Sequence, residues 1–306
     1  MKIGTARLGD GTVVVVESSE GKAAMVPQYT SVDAVLNSDS EQFHHDVNRA
    51  LETEPARALN ELEWMPPVIR PGKVLCVALN NSANPERIMS GPSTPAMFVK
   101  PSSSLIGHEQ PIRIRESYGR VHPEPELAVI IGRGGDDIPV DQALDHVFGY
   151  TIFNDITSPT MRTEDTFHYR AIHPSDSEPD GIRYVESWVT YPARYKGADT
   201  FGPLGPWVVT SDDIPDPHAL RIRCFHNDRV ITDDTTENLR FSVAEVISFA
   251  SSYLSLEAGD VIAMGTALKR ATKGSAVQNV DLGTLGGTVT VEIEKLGALR
   301  NPVARR

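Results

Sequence analysis

Cysteine is scarce in this chain of 306 residues, which contains only Cys76 and Cys224. Each lies in an apolar run, so we expect two buried free thiols and no disulfide framework. Long apolar runs are missing as well, because no stretch approaches the ~20 residues that a membrane-spanning helix needs. The segment after Met1 has no apolar run typical of a signal peptide. These features predict a cytoplasmic protein that has no membrane partner.

An excess of basic residues is also missing, since 29 Lys and Arg stand against 41 Asp and Glu, for a net charge of −12. Such a balance argues against a nucleic-acid partner, which needs a basic face. It agrees instead with a site built from carboxylates that attract a cation. The hydrophobic content of 40% and charged content of 23% are ordinary for a globular protein.

The beginning of the chain differs in pattern from the rest. Two β-branched runs on either side of the Gly9-Asp10-Gly11 turn predict a hairpin, and apolar residues recur at helical spacing over 31–51. The Arg70-Pro71-Gly72 segment then interrupts these patterns. We therefore predict a small, strand-rich N-terminal domain over 1–70 and a larger domain over 71–306.

The larger domain is predicted to be mainly strands. One helix is expected over Ser242–Ala250, where Ser242 and Glu245 have the spacing of a capping box. Many strands, few helices and Gly/Pro-rich joints predict an α+β fold that is mostly β, a mixed β-roll or sandwich. The predicted strands are Val74–Leu79, Ala96–Lys100, Leu127–Gly132, Phe148–Phe153, Trp207–Thr210, Leu220–Phe225, Asp260–Met264 and Thr288–Ile293.

Two closely spaced acids begin one of these strands. Glu124 and Glu126 are two residues apart, so an extended backbone directs both side chains to the same side. Their mutual repulsion is relieved by a shared proton or cation, and Asp155, at the end of another apolar strand, offers a third oxygen ligand. An all-oxygen site suits Mg²⁺, Mn²⁺ or Ca²⁺. The spacing by itself is equally typical of two solvated acids at an exposed strand end.

Several motifs, and the order in which they occur, add to the evidence from these acids. From about Pro71 to Val303 the chain resembles the fumarylacetoacetate hydrolase superfamily. The segments that carry the resemblance are Glu124–Gly132 (EPELAVIIG), Gly149–Asp155 (GYTIFND), Arg194–Trp207 (RYKGADTFGPLGPW), Leu256–Ile262 (LEAGDVI) and Met264–Thr266 (MGT).

The resemblance implies a fold, ligands and roles. It implies that Glu124, Glu126 and Asp155 bind Mg²⁺ or Mn²⁺ and that the fold is a mixed β-roll after a smaller N-terminal domain, usually in a homodimer. It matches Lys196 to a lysine of the family's pocket, where an ammonium group would stabilise a developing oxyanion. The alternative is a surface lysine.

Gly265 and Thr266 match the family's Gly-Thr segment. The resemblance makes them candidates to bind a substrate carboxylate, through the hydroxyl and the backbone N–H. A turn that ends the preceding strand is the alternative for Thr266.

The chain departs from the family at one catalytic position. Asn84 stands where many family hydrolases have a histidine that activates water, and an amide cannot accept a proton near neutral pH. We retain Asn84 as a candidate substrate-binding residue. His122, two residues before Glu124, is directed to the same side and is the best-placed candidate base, although it can equally be a solvated side chain. His108 is a further candidate.

An unusual insert runs from Arg162 to Arg194. It contains His168, Tyr169, Tyr184 and Trp188, and we treat it as a long loop. Long ordered loops in compact domains are often lids or binding loops, so closure over the pocket is one interpretation. A surface or dimer-contact loop is equally favoured.

Enolate chemistry on a small dicarbonyl or 2-oxo acid is what the resemblance implies. The cation would act as a Lewis acid on the substrate's two oxygens. The leading hypothesis is a metal-dependent hydrolase that cleaves a C–C bond in a 1,3-dicarbonyl, acylpyruvate-like acid. The alternative is a decarboxylase, tautomerase, dehydratase or hydratase that acts on a 2-oxo acid with the same site. A third hypothesis is a non-catalytic ligand-binding relative.

Overall fold

A computed structural model describes residues 1–19 and 21–306. The helices are α1 (Val32–Leu36), α2 (Ser40–Thr53), α3 (Pro159–Glu164), α4 (Ala193–Gly197), α5 (Val243–Ser251) and α6 (Leu282–Leu285). The strands are β1 (Lys2–Leu8), β2 (Gly11–Ser19), β3 (Lys22–Val26), β4 (Arg57–Ala58), β5 (Trp64–Met65), β6 (Val74–Ala78), β7 (Ala96–Lys100), β8 (Leu105–Ile106), β9 (Ile112–Ile114), β10 (Pro125–Ile131), β11 (Val147–Asn154), β12 (Thr166–Pro174), β13 (Ile182–Thr190), β14 (Gly202–Pro203), β15 (Trp207–Thr210), β16 (Arg221–His226), β17 (Arg229–Thr235), β18 (Val261–Ala263), β19 (Thr288–Ile293) and β20 (Gly297–Arg305).

The largest sheet runs through both halves of the chain. Its strand order is β4-β3-β2-β1-β15-β11-β10-β18-β6-β7, and β5 pairs with β1. Strand β1 is antiparallel to β15, with Ile3 opposite Val208, so the N-terminal strands continue the sheet that holds β10 and β11. The division into domains over 1–70 and 71–306 stays a prediction.

The central strand β10 is buried on both faces of this sheet. Leu127, Val129 and Ile131 belong to one apolar cluster, whereas Ala128 and Ile130 belong to another. This alternation explains the continuous apolar run in the sequence, because neither face of the strand reaches water.

Different layers cover the two faces. Helices α1 and α2 contribute Val32 and Phe43 to the cluster that contains Ile130. A second sheet, of order β17-β16-β19-β20-β9, contributes Ile222 and Val291 to the other cluster. The predicted mostly β, mixed-sheet fold is confirmed.

Helix α5 begins as the sequence predicts. The Ser242 side chain accepts a hydrogen bond from the Glu245 N–H, and the Glu245 carboxylate accepts one from the Ser242 N–H at 2.7 Å. Both otherwise unpaired donors of the first turn are thereby satisfied. In the described ranges 1–19 and 21–306, no helix is both long and apolar enough to cross a bilayer.

The insert contains regular strands and not a long loop. Strands β12 and β13 form an antiparallel hairpin with an unbroken register from Thr166 opposite Thr190 to Pro174 opposite Ile182. We call residues 166–190 the arm. The treatment of this insert as a loop was wrong, because its sequence is rich in aromatic and β-branched residues, which favour strands. Whether the arm closes over the pocket or contacts another subunit stays a prediction.

Candidate active site

Three acidic side chains meet where β10 begins and β11 ends. The two strands are antiparallel, with Pro125 opposite Asn154, so the acids at the start of one lie beside the acid that follows the other. The Asp155 N–H donates to the Glu124 carbonyl at 2.8 Å. Carboxylate oxygens of Glu124, Glu126 and Asp155 all lie within 4.8 Å of one another. The structure therefore brings the three predicted ligands together.

Two ammonium groups contact this cluster. Lys196, on α4, donates to Glu124 at 2.6 Å and also to Asp155. Lys100, the last residue of β7, is fully buried and lies 2.5 Å from the other oxygen of Asp155. With every group ionised, the cluster has three negative charges and two positive ones. A divalent cation would change the sign of this balance and favour an anionic ligand.

The pKa values of two of the acids shift in opposite directions. Burial raises the pKa of Glu126 well above its usual range, and the charges of Asp155 and Glu124 add to this effect. Burial would also raise the pKa of Asp155, but Lys100 and Lys196 outweigh it and lower that pKa. Glu126 is therefore the acid that most needs a cation in order to ionise.

The donor set fits a hard divalent cation. Three carboxylates from two adjacent strands supply oxygen ligands, which Mg²⁺ and Mn²⁺ prefer. Glu126 and Asp155 are nearly inaccessible to water, with 2% and 1% of their surfaces exposed. Two acids buried this deeply at contact distance are costly without a positive partner.

The Gly265-Thr266 segment orients the glutamates. The Gly265 N–H donates to Glu126 at 2.9 Å, and the Thr266 hydroxyl donates to Glu126 at 3.1 Å. Gly265 has φ +95°, and a Cβ there would lie 2.8 Å from the Cβ of Asn80, so only glycine fits this close approach. Both predicted residues lie at the site, and a role in binding a substrate carboxylate stays a prediction.

His122 lies beside the acids and is buried. Its backbone forms two hydrogen bonds with Thr157, and its Nε2 atom is 3.8 Å from a Glu124 oxygen. The ring therefore has a fixed position from which it reaches the cleft. By contrast, His108 accepts a hydrogen bond from the Arg300 N–H and is not found among the described residues that line this cleft.

The acids open into a cleft of about 620 Å³, a volume suited to a small-molecule ligand. Asn84 is not part of the described lining, and its side-chain amide donates to the Leu268 carbonyl at 3.2 Å. Its predicted contact with substrate stays a prediction. The lining includes Val77, Asn80, Arg87, Phe98, Arg120, His122, Glu124, Glu126, Asp155, Arg162, Tyr195, Lys196, Thr266, Leu268 and Gln278.

Three arginines of this lining were not anticipated from the sequence. Arg120 donates to the Gln278 carbonyl, whereas Arg87 and Arg162 form no side-chain hydrogen bond or ion pair within 1–19 and 21–306. All three are exposed. The mouth of the cleft is thus positively charged in a protein of net charge −12, which favours an anionic ligand.

A buried carboxylate outside the cleft fixes its wall. Asp234 accepts hydrogen bonds from the Asn81 amide at 3.0 Å and from the N–H groups of Leu268 and Lys269 at 2.7 and 2.9 Å. It thereby joins two segments that border the cleft. Sequence reasoning missed Asp234 and Lys100. For Lys100 a signal existed, since an apolar strand ends in a charged residue directly before Pro101.

The fold and site define a mixed-sheet protein with a three-carboxylate candidate cation site. A family model described as fumarylacetoacetate (FAA) hydrolase C-terminal matches residues 73–304. The chain belongs to the fumarylacetoacetate hydrolase family, as the sequence motifs predicted.

Named relatives differ in their reactions. The chain is 32% identical to the Xenopus laevis mitochondrial oxaloacetate tautomerase fahd2, over 80% of this chain and 69% of that protein. A fumarylacetoacetate hydrolase from psychrophilic Exiguobacterium antarcticum is 28% identical, with a TM-score of 0.79 and full coverage of both chains. A 5-carboxymethyl-2-hydroxymuconate delta-isomerase from Mycobacterium smegmatis is 27% identical, with a TM-score of 0.71 over 100% of this chain and 99% of that one.

Proposed function

We propose that this chain is a divalent-metal-dependent enzyme that interconverts the keto and enol forms of a small 2-oxo dicarboxylic acid of the oxaloacetate type. The observation that carries this proposal is the cluster of Glu124 with the buried Glu126 and Asp155, beside the ammonium group of Lys196. A bound cation would supply the Lewis acid that stabilises an enolate oxygen. The similarity to an oxaloacetate tautomerase supports the choice of reaction.

Lys196 has the charge and position to favour an enolate. Burial would lower its pKa, but Asp155 and Glu124 raise it well above its usual value, so the group stays protonated at neutral pH. A fixed positive charge close to a developing oxyanion stabilises the transition state more than the neutral ketone.

Keto–enol conversion requires a proton to move between the carbon next to the ketone and the ketone oxygen. His122 is the imidazole beside the acids, and it can accept a proton from the carbon next to the ketone and return one to the oxygen. Keto–enol conversion needs only this transfer and no attacking water. It therefore agrees with Asn84 at the position where family hydrolases have a water-activating histidine.

The arginines at the mouth select for a second carboxylate. Arg87, Arg120 and Arg162 lie on the lining of the same cleft as the acids. A guanidinium group binds a carboxylate through two parallel hydrogen bonds. A 2-oxo acid held at the metal by one end would therefore have its other carboxylate near these side chains.

Substrate assays with Lys196→Met test the proposal. With Mg²⁺ or Mn²⁺, we expect the wild-type protein to accelerate the ultraviolet absorbance change of oxaloacetate enolisation, and Lys196→Met to lose about 10²–10³-fold of the rate. The matched control is Lys273→Met, an exposed lysine away from the lining, which should retain full activity. Equal rates for wild type and Lys196→Met would contradict the proposed role.

C–C bond hydrolysis of an acylpyruvate is the second candidate. The specific observation in its favour is the burial of His122 against Glu124, which provides a base for an attacking water. Release of two carboxylic acids from an acylpyruvate, without acceleration of enolisation, would replace the first candidate with this one. If neither reaction occurs with Mg²⁺ or Mn²⁺, both candidates fail.

A further inference from the structure

Tyr195 is a buried side chain of the cleft whose hydroxyl has no partner in the described part of the chain. It lines the cleft beside the acids, and only 8% of its surface is exposed. Tyr29 is equally buried, at 8%, and its hydroxyl donates to Asp46 at 3.2 Å. A buried tyrosine hydroxyl normally has such a partner, so the unpaired group in the cleft requires an explanation.

The Tyr195 hydroxyl keeps surface that opens into the cleft. The side-chain oxygens that are both fully enclosed and unpaired in the described residues belong to Ser18, Thr232 and Asn301. The Tyr195 hydroxyl is not among them, so a ligand can reach it from the cleft that the residue lines. The other buried polar side chains of the described lining all form hydrogen bonds, and they are Asn80, His122, Glu126, Asp155 and Thr157.

Packing explains the ring of Tyr195 but not its hydroxyl. The ring belongs to the larger apolar cluster, and the Tyr195 carbonyl accepts a hydrogen bond from the Ser158 N–H at 3.1 Å. A phenylalanine would make the same apolar contacts and the same backbone bond. The polar atom therefore adds nothing to the fold that the described residues reveal, and a contact with a ligand is the remaining use for it.

The charges around the hydroxyl determine what it can bind. Tyr195 precedes Lys196 on α4, and α4 packs against α3, which carries Arg162. Burial raises the pKa of the hydroxyl and outweighs the lowering by Arg162 and Lys196, so the group stays neutral at neutral pH and can donate its proton. An acceptor that enters beside two cations is favoured when it carries negative charge. A carboxylate of the ligand meets both conditions.

Arg162 indicates which carboxylate this is. Among the charged groups that act on the Tyr195 hydroxyl, Arg162 has the largest effect, ahead of Lys196 and the acids. Because the influence of a charge falls with distance, the hydroxyl lies towards the arginine and away from the candidate cation site. A carboxylate there belongs to the end of the ligand that the cation does not hold.

We propose that the Tyr195 hydroxyl donates a hydrogen bond to this second carboxylate and makes the cleft selective for dicarboxylic acids. The inference rests on the proposed function, which supplies a 2-oxo dicarboxylic acid as the ligand. Arg162 is exposed, so its long side chain loses conformational freedom when it binds. The buried ring of Tyr195 is already fixed, and a fixed donor discriminates against a ligand that lacks the acceptor.

Binding of malate and lactate to the Mn²⁺-loaded protein tests the inference. The two acids share a 2-hydroxy acid end, and only malate has a second carboxylate. In calorimetric titration we expect Tyr195→Phe to bind malate about tenfold more weakly than the wild type and to bind lactate equally well, because one hydrogen bond to a charged group is lost. In oxaloacetate turnover, the same variant should raise KM and leave kcat nearly unchanged.

Tyr150→Phe is the matched control. Tyr150 is 2% exposed and its hydroxyl is also unpaired among the described residues, but it does not line the cleft there. This variant should bind both acids as the wild type does. Circular dichroism of both variants verifies that the fold is intact.

Three results would overturn the inference. The first is equal malate affinity in wild type and Tyr195→Phe, and the second is a wild type that binds malate no more tightly than lactate. The third is an equal loss for malate and lactate, because the hydroxyl would then act at the end that both acids share. By contrast, a malate preference that depends on Tyr195, in a protein that does not accelerate oxaloacetate enolisation, would support the inference and contradict the proposed function.

Discussion

The cleft buries charged side chains, whereas the arm exposes apolar ones. In the cleft, Glu126 and Asp155 have 2% and 1% of their surfaces exposed, while Trp188 on the arm has 70% exposed. Both regions reverse the usual partition of side chains between interior and surface. Each reversal costs free energy in the isolated chain. The comparison teaches that the cleft concentrates buried charge that a cation would balance, whereas the arm presents apolar surface that the described residues leave uncovered.

The two regions also differ in how much of that free-energy cost is offset by other residues of the chain. Lys100 and Lys196 contact Asp155 and lower its pKa, so part of the cleft's charge is compensated internally. The exposed apolar side chains of the arm have no such cover within the described residues. We therefore expect substitutions in the cleft to affect folding and function together, and substitutions of exposed arm side chains to leave both nearly unchanged.

Among variants of the cleft and of the arm, Lys100→Met is expected to destabilise the fold most. The substitution leaves the buried Asp155 with one ammonium partner, which should destabilise the fold by about 3 kcal/mol. It should also weaken Mn²⁺ binding about 10–100-fold, because Lys100 orients a ligand. Urea denaturation and calorimetric titration measure the two effects.

A matched control separates stability from metal binding. Lys73 also pairs with a fully buried carboxylate, Asp260, at 3.0 Å, but neither residue lines the cleft in the described structure. Lys73→Met should destabilise the fold and leave Mn²⁺ affinity unchanged. Equal loss of affinity in both variants would show that Lys100 acts through general stability and not through Asp155.

Substitutions on the arm are expected to have the smallest effect on activity. The double variant Ile172→Ser and Trp188→Ser removes two exposed apolar side chains, so the cleft should retain its activity within about twofold. Surface substitutions of this kind change monomer stability little. The control Tyr253→Ser removes an aromatic side chain that is 52% exposed elsewhere and should likewise leave activity unchanged. Loss of activity in the double variant alone would show that the two regions are coupled.

Much of the fold could be predicted from local patterns. The apolar run of β10, the strand that ends at Lys100 and the capping box at Ser242 are each specified by residues close in sequence. The pairing of β1 with β15 could not be predicted in this way, because it depends on contacts between residues about 200 positions apart. Propensity and periodicity carry no information about such pairings.

The residues of the candidate site divide in the same way, into those that local sequence predicts and those that only long-range packing brings together. Glu124, Glu126 and Asp155 were predicted because strand alternation and apolar context are local signals and because the order of the family's motifs supported them. Lys100, Arg162 and Asp234 were missed as site residues, since their positions follow from strand order and loop packing. Asn84 was predicted as a substrate contact, but its amide donates to Leu268 outside the described lining.

Titration with Mn²⁺ tests the central claim, that three carboxylates hold one divalent cation. Calorimetry of the metal-free protein should give one Mn²⁺ per chain, and Glu126→Gln, which keeps the shape but removes the charge, should bind at least a hundredfold more weakly. Electron paramagnetic resonance should show the bound ion in the wild-type protein. Equal Mn²⁺ affinity in wild type and Glu126→Gln would contradict the account.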